Sequence, residues 1–314
     1  MCDGRDLGIG MLSARTVKNV FSVDVEDYFH VSAFAREIPT SQWDHFQCRV
    51  EANTHRILRI LEAEQVRGTF FILGWVAQRF PRLVREIARD GHEIGCHSHW
   101  HQLVYEQTPD QFRADLRQSL DVLQQITGTA VISYRAPSFS VVRQSMWALP
   151  ILVEEGIKND SSIFPVHHDR YGVPDAELAP TTIVTDAGPL QEFPPSVWRV
   201  SKMNVPIGGG GYLRLYPLWL TCLGLRRINR DADRPFMVYT HPWEVDPDQP
   251  RLNGPWRSRF RHYVNLATTA NKLRSLAREF EYDAMSAILE PRHSPECLPA
   301  AAGSASVAGL PGCD

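Results

Sequence analysis

The chain has 314 residues, 43% hydrophobic and 22% charged, enough to bury one barrel-sized core or two modest ones. Its 33 basic and 36 acidic residues leave a net charge of −3, with neither sign dominating a long stretch, which argues against nucleic acid or an anionic membrane as partner. The six cysteines, Cys2, Cys48, Cys96, Cys222, Cys297 and Cys313, form no CxxC pair; Asp3, Arg5 and Asp6 interrupt any apolar leader; and no apolar run reaches bilayer length, so a soluble cytoplasmic protein is expected.

In chain order, residues 1–18 read as an N-terminal extension. Residues 19–25, NVFSVDV, are β-branched and aromatic, and predict a buried strand delivering Asp24, Glu26 and Asp27 at its C-terminal end, where α/β barrels keep their chemistry. Ile57, Leu58 and Leu61 mark a helix over about 53–65. Gly68 opens a second strand, TFFIL, and Pro81 starts a helix that carries Leu83, Val84, Ile87 and Ala88 and ends at Gly91. After the strand EIGC, Thr108-Pro109 and Gly128 bracket the clearest helix, with Phe112, Leu116, Leu120, Leu123 and Ile126 on one face. Short strands near 131–134, 157–159 and 236–240 continue the alternation, which predicts an α/β barrel or doubly wound sheet. Between about 164 and 212, Pro and Gly separate strand-like pieces such as LQEF and YLRL, as in a loop-rich insertion over the active face. The Ala-, Gly-, Ser- and Pro-rich stretch 290–314 predicts a disordered tail.

His97 and His101 in CHSHWHQ are spaced i, i+4, which on a helical turn puts two metal-ligating imidazoles on one side. A catalytic zinc-type site takes three protein ligands and leaves a position open, so the cluster DVED should supply the third. Strand alternation points Asp24 and Glu26 one way and Asp27 the other, yet a strand stopping at Val25 lets the turn present Asp27 instead. Glu26 and Asp27 therefore both stand as candidate metal carboxylates. Arg135, in RAPSFS, can hold a carboxylate by a bidentate pair, with Pro137 stiffening the turn. Asp160, in NDSSIFP, could support Arg135 or cap a turn. His241 ends the β-rich run FMVYTHPWE and could protonate a leaving amine. The run IGGGGYLR lacks a following Lys-Ser/Thr and a clear helix, and reads as a flexible loop tip rather than a phosphate loop.

Taken in order, SVDVED, HSHWH, RAPSF, DSSIF and VYTHPWE resemble the five-motif signature of the polysaccharide deacetylase superfamily, carbohydrate esterase family 4, over roughly residues 19–245. DVEDYFHV, HPWEVDPDQPR and FRHYVNLA further resemble a subgroup found with exopolysaccharide loci that encode exosortase-type systems. The resemblance implies a distorted (β/α) barrel of about seven strands with a C-terminal extension, the catalytic domain running over 19–289. It implies Zn²⁺, or another divalent ion such as Co²⁺ or Ni²⁺, held by His97, His101 and a carboxylate, Glu26 by its spacing and Asp27 as rival. Asp24 matches the family's catalytic base, His241 its acid, Arg135 the residue that positions the base, and the Ser138 backbone N–H an oxyanion donor. Ser138 stands where the family usually has an aromatic residue. The implied activity is removal of N-acetyl groups from an amino-sugar glycan, polymeric or lipid-linked, in exopolysaccharide biosynthesis, with peripheral association to a synthesis complex at the inner membrane face. Two alternatives are an allantoinase-like hydrolase of cyclic amides or ureides, and a glycan-binding protein with a vestigial metal site.

Overall fold

The computed structural model describes residues 17–168 and 170–290; the predicted tail, apart from Glu290, and residues 1–16 of the predicted extension lie outside them. Strand β1 (Asn19–Val25) leads into α1 (Val50–Ala63), β2 (Thr69–Ile72), α2 (Gly74–Arg79), α3 (Pro81–Arg89), β3 (Glu93–Cys96), α4 (Pro109–Thr127), β4 (Ser133–Tyr134), α5 (Ala148–Glu154) and β5 (Asn159–Asp160). Two antiparallel hairpins follow, β6 (Thr181–Thr185) with β7 (Gly188–Glu192), and β8 (Val197–Val200) with β9 (Met203–Pro206). The chain closes with α6 (Gly210–Leu215), α7 (Leu218–Asp231), β10 (Met237–Thr240), α8 (Trp256–Tyr263), α9 (Leu266–Glu279), β11 (Tyr282–Asp283) and α10 (Met285–Leu289).

One sheet runs in the order β10-β1-β2-β3-β4-β5-β7-β6, with β11 added beside the start of β1. The first seven strands of that order are mutually parallel, and β6 is an antiparallel edge. β10 and β6 do not pair, so the sheet curls as a half-barrel and stays open there, an α/β fold with the expected number of barrel strands. Parallel strands covered on both faces bury every residue, and all seven residues of β1 are buried. Phe21, Val23, Val25, Phe70 and Ile72 join one large core with Leu116, Leu120 and Leu123 of α4; burying each such side chain contributes about 1.5–3 kcal/mol.

Local signals set most boundaries. Thr108 and Gln111 form a capping box at the start of α4, and Gly128, at φ +71°, ends it. α1 starts at Val50, earlier than its apolar stripe predicts, because Asp27 Oδ2 accepts the backbone N–H groups of Arg49 (2.6 Å) and Val50 (2.9 Å). Of the strand-like pieces in the region 164–212, one is a strand and the other is not. LQE lies inside β7 and extends the main sheet, while YLRL belongs to α6 and is helical. The glycine run is no loose loop tip: Gly208 and Gly209 pack on β10, where a Cβ on Gly209 would fall 2.1 Å from the Tyr239 carbonyl oxygen. Among the described residues no helix is long and apolar enough to cross a membrane.

Candidate active site

Because the parallel strands share a direction, the segments following β1, β3, β4 and β10 gather at one rim, and each brings a side chain to it. Glu26 follows β1, His97 and His101 follow β3, and one ligand atom from each of the three lies within 4.8 Å of the others. All three residues are buried. The two histidines do not share a helical turn, as their spacing predicts. They sit on a loop that Ser98 (φ +63°) and His101 (φ +52°) bend through the left-handed region. That loop is held from outside: Asp115 of α4 accepts the backbone N–H groups of His99 and Trp100, and the first N–H groups of α2 donate to the carbonyls of Ser98 and His99. Gly74 is needed there, since a Cβ would lie 2.4 Å from His99 Nδ1.

His97 Nδ1 donates to the Arg135 carbonyl at 2.8 Å, which leaves its Nε2 lone pair for a ligand. Burial pushes the His97 pKa down to about 4, so the ring stays neutral, as a metal ligand must be. Glu26 Oε2 lies 2.6 Å from His101 Nε2 yet accepts no well-directed hydrogen bond, while Oε1 accepts from Trp243 Nε1 at 3.1 Å. Burial would raise the Glu26 pKa, but His101, and then His241 and His97, hold it far below the usual carboxylate range. A buried anionic oxygen without a proper donor, facing two imidazoles, fits a divalent cation of the zinc class.

Asp24 and His241 flank this cluster. Arg135 is fully buried and donates from Nη1 to Asp24 Oδ1 (2.6 Å) and to Ser22 Oγ (2.9 Å), and from Nη2 to Ser161 Oγ (3.0 Å). Asp24 Oδ2 is 3.8 Å from His241 Nε2. On the far side of that ring, Nδ1 donates to Glu244 at 2.6 Å. Burial alone would lower the His241 pKa, but Glu244, helped by Glu26 and Asp24, raises it to about 9, so the imidazolium persists at neutral pH. Ser138 also reaches the rim, in a left-handed turn (φ +51°), with its Oγ 3.0 Å from Ser32 Oγ, which is itself 3.4 Å from His101 Nδ1.

Two candidates fall elsewhere. Asp27 does not join Glu26, His97 and His101: the turn after Val25 swings it toward α1, where its oxygens accept the backbone N–H groups of Tyr28, Arg49 and Val50. Asp160 is not hydrogen-bonded to Arg135, whose partner from that strand end is Ser161 instead. Asp160 faces Glu192 across the β5–β7 pair and accepts from Ser162 Oγ at 2.5 Å. Trp243 lies in the site, stacked on His241, whereas Trp147 packs edge-on against Phe112. Sequence reasoning gave no role to Glu244 or to Arg214, whose Nε lies 3.4 Å from Glu244 Oε2; the one local signal was an acid three residues after His241.

Comparison with known proteins bears on this geometry. Residues 42–149 match the family model for polysaccharide deacetylase, and residues 161–290 match a domain of unknown function, DUF3473. A peptidoglycan-N-acetylglucosamine deacetylase of Bacillus cereus is 32% identical over 96 residues, 30% of this chain and 35% of its own length. The peptidoglycan-N-acetylmuramic acid deacetylase PdaA of Bacillus subtilis is 32% identical over 84 residues, 27% of this chain and 32% of its own. The chain thus spans about a third of the length of these curated relatives. In fold, it resembles a Mycobacterium smegmatis protein assigned as a polysaccharide deacetylase, with a TM-score of 0.55 and 21% identity over 89% of this chain and 92% of that one. It resembles the Puue allantoinase about as well, with a TM-score of 0.54 and 14% identity over 87% and 88%. The sequence matches thus identify a polysaccharide deacetylase domain over residues 42–149, carried on a half-barrel fold shared with these solved structures.

Proposed function

We propose that this chain is a metal-dependent deacetylase that removes N-acetyl groups from an amino-sugar glycan. The observation that carries the reading is the pairing of Asp24 with His241, 3.8 Å apart, beside the point where Glu26, His97 and His101 converge. The relatives named for peptidoglycan N-acetyl sugars support the substrate class. The motif resemblance to proteins of exopolysaccharide loci makes a polymer built for export, or its lipid-linked precursor, the first substrate to try.

Glu26, His97 and His101 would hold Zn²⁺, Co²⁺ or Ni²⁺, all suited to a mixed imidazole and carboxylate set. Such an ion supplies Lewis acidity, polarising a carbonyl oxygen and lowering the pKa of water within its reach. Asp24 accepts the proton of the attacking water at Oδ2, because Arg135 already engages Oδ1 and fixes the carboxylate plane. The Ser138 backbone N–H donates to the developing oxyanion. His241, held protonated by Glu244, hands its Nε2 proton to the departing amine.

The test is acetate release from N-acetylated oligosaccharides by zinc-loaded protein. Asp24→Asn should lower kcat by about a hundredfold or more while metal content stays. Ring opening of a ureide without acetate release would turn the reading to the allantoinase-like alternative, and metal binding with neither reaction to the glycan-binding one.

A further inference from the structure

Resting on the deacetylase reading, we infer that the glycan carries an anionic group, a carboxylate or a phosphate, close to the N-acetylated sugar. A cavity of about 420 Å³ adjoins the site and takes Ser138 and Trp243 as part of its wall. It has the size of a ligand pocket. The Trp243 indole stacks on His241 (ring centroids 5.2 Å apart, planes at 19°) and donates to Glu26, so an occupant of the cavity is one ring away from the proton-transfer groups. Tyr212 and Tyr239 add aromatic surface for sugar faces.

The charged residues of the wall are all arginines. Arg170, Arg214 and Arg261 line it, and no Asp or Glu does so among the described residues. Arg214 is buried and faces Glu244, so its charge is balanced. Arg170 and Arg261 are exposed at the cavity, with no described carboxylate beside them in its lining. Composition does not account for this, because the chain as a whole is net negative at −3. The neighbouring cavity, of about 690 Å³ on the His101 side, shares Arg170 but sets it and Arg36 beside Glu37 and Glu106, and so shows no such bias. Guanidinium groups present paired donors that match a carboxylate or phosphate, and two of them in a concave wall raise the local concentration of anions. A neutral glycan would leave both charges unused. All three arginines lie within residues 161–290, so this inference gives the segment matching a domain of unknown function a role in reading the substrate.

The experiment compares three N-acetylated oligosaccharides of equal length: a neutral chitin fragment, one alternating with glucuronic acid, and one bearing a phosphate. Binding to the full chain is measured by calorimetry, and acetate release is measured beside it. One anionic form should bind roughly fivefold tighter than the neutral one at low salt, and which one it is names the source of the anion. The advantage should shrink near about 1 M salt, where the screening length falls to roughly 3 Å. Replacing Arg170→Gln and Arg261→Gln together should bring the ratio to about one; should that variant unfold, each single substitution must lower it. No preference in the parent protein, absence of binding included, overturns the inference, as does a preference that survives loss of both arginines. Anionic preference in binding without acetate release from any of the three defeats only the deacetylase reading. Release from all three at equal affinity defeats only this one.

Discussion

Two buried acidic clusters sit on strands of the same sheet and manage their charge in opposite ways. At the end of β1, Asp24 and Glu26 are ringed by Arg135, His97, His101 and His241. At the β5–β7 pair, Asp160 and Glu192 lie directly opposite each other, Asp160 accepting from the Ser162 hydroxyl and Glu192 from the Ile163 backbone N–H. Burial is equally deep at both. Glu26 is nevertheless held far below the usual carboxylate range, whereas burial, and for Glu192 the neighbouring acid, drives Asp160 and Glu192 upward. Burial therefore does not decide what a carboxylate does in this protein; the partners that other strands bring to it do. In the first cluster Glu26 keeps its charge and can serve a cation. In the second, the same burial favours the protonated forms instead.

The sharpest way to break that contrast is to remove one imidazole. His97→Ala should reduce bound divalent metal from about one per chain to near none after dialysis, and acetate release by at least about a hundredfold, whereas Asp160→Asn should keep its metal. Loss of metal from Asp160→Asn would mean that the two clusters act as one. A smaller effect is expected at the acid. Glu244→Gln removes the main influence raising His241, so the basic limb of the kcat profile should move down from near pH 9 and kcat at neutral pH should fall by roughly tenfold. An unmoved limb would take Glu244 out of the proton path.

The mildest effect concerns stability. Raised native pKa values mean that the folded chain binds protons which the unfolded chain releases. The contribution of the Asp160–Glu192 pair is then complete below the ordinary carboxylate pKa, near about 4, and is lost as pH rises through the raised native values. Glu192→Gln should flatten that decline and gain about 1–2 kcal/mol at pH 8 relative to pH 5, read from urea midpoints. A parallel pH dependence in both proteins would show that the pair is not proton-linked to folding.

Neighbouring residues already fix most of the early elements and their order. The apolar spacing of α4, its Thr108 and Gly128 ends, and the β-branched run of β1 are written in neighbouring residues, and the residue types of Glu26, His97, His101, Arg135 and His241 were legible in five short motifs. How those residues are used depends on contacts made in the assembled fold. Whether Glu26 or Asp27 faces the histidines depends on where β1 stops and on the α1 backbone that captures Asp27, more than twenty residues away. The loop that brings His97 and His101 together is shaped by Asp115 and α2, not by helical spacing, and Asp160 turns to Glu192 because β7 joins the sheet beside β5. Propensity and periodicity act over a few residues. The direction of a side chain beyond a strand end, and the charge that meets it there, are set by contacts between distant segments, which no local pattern encodes.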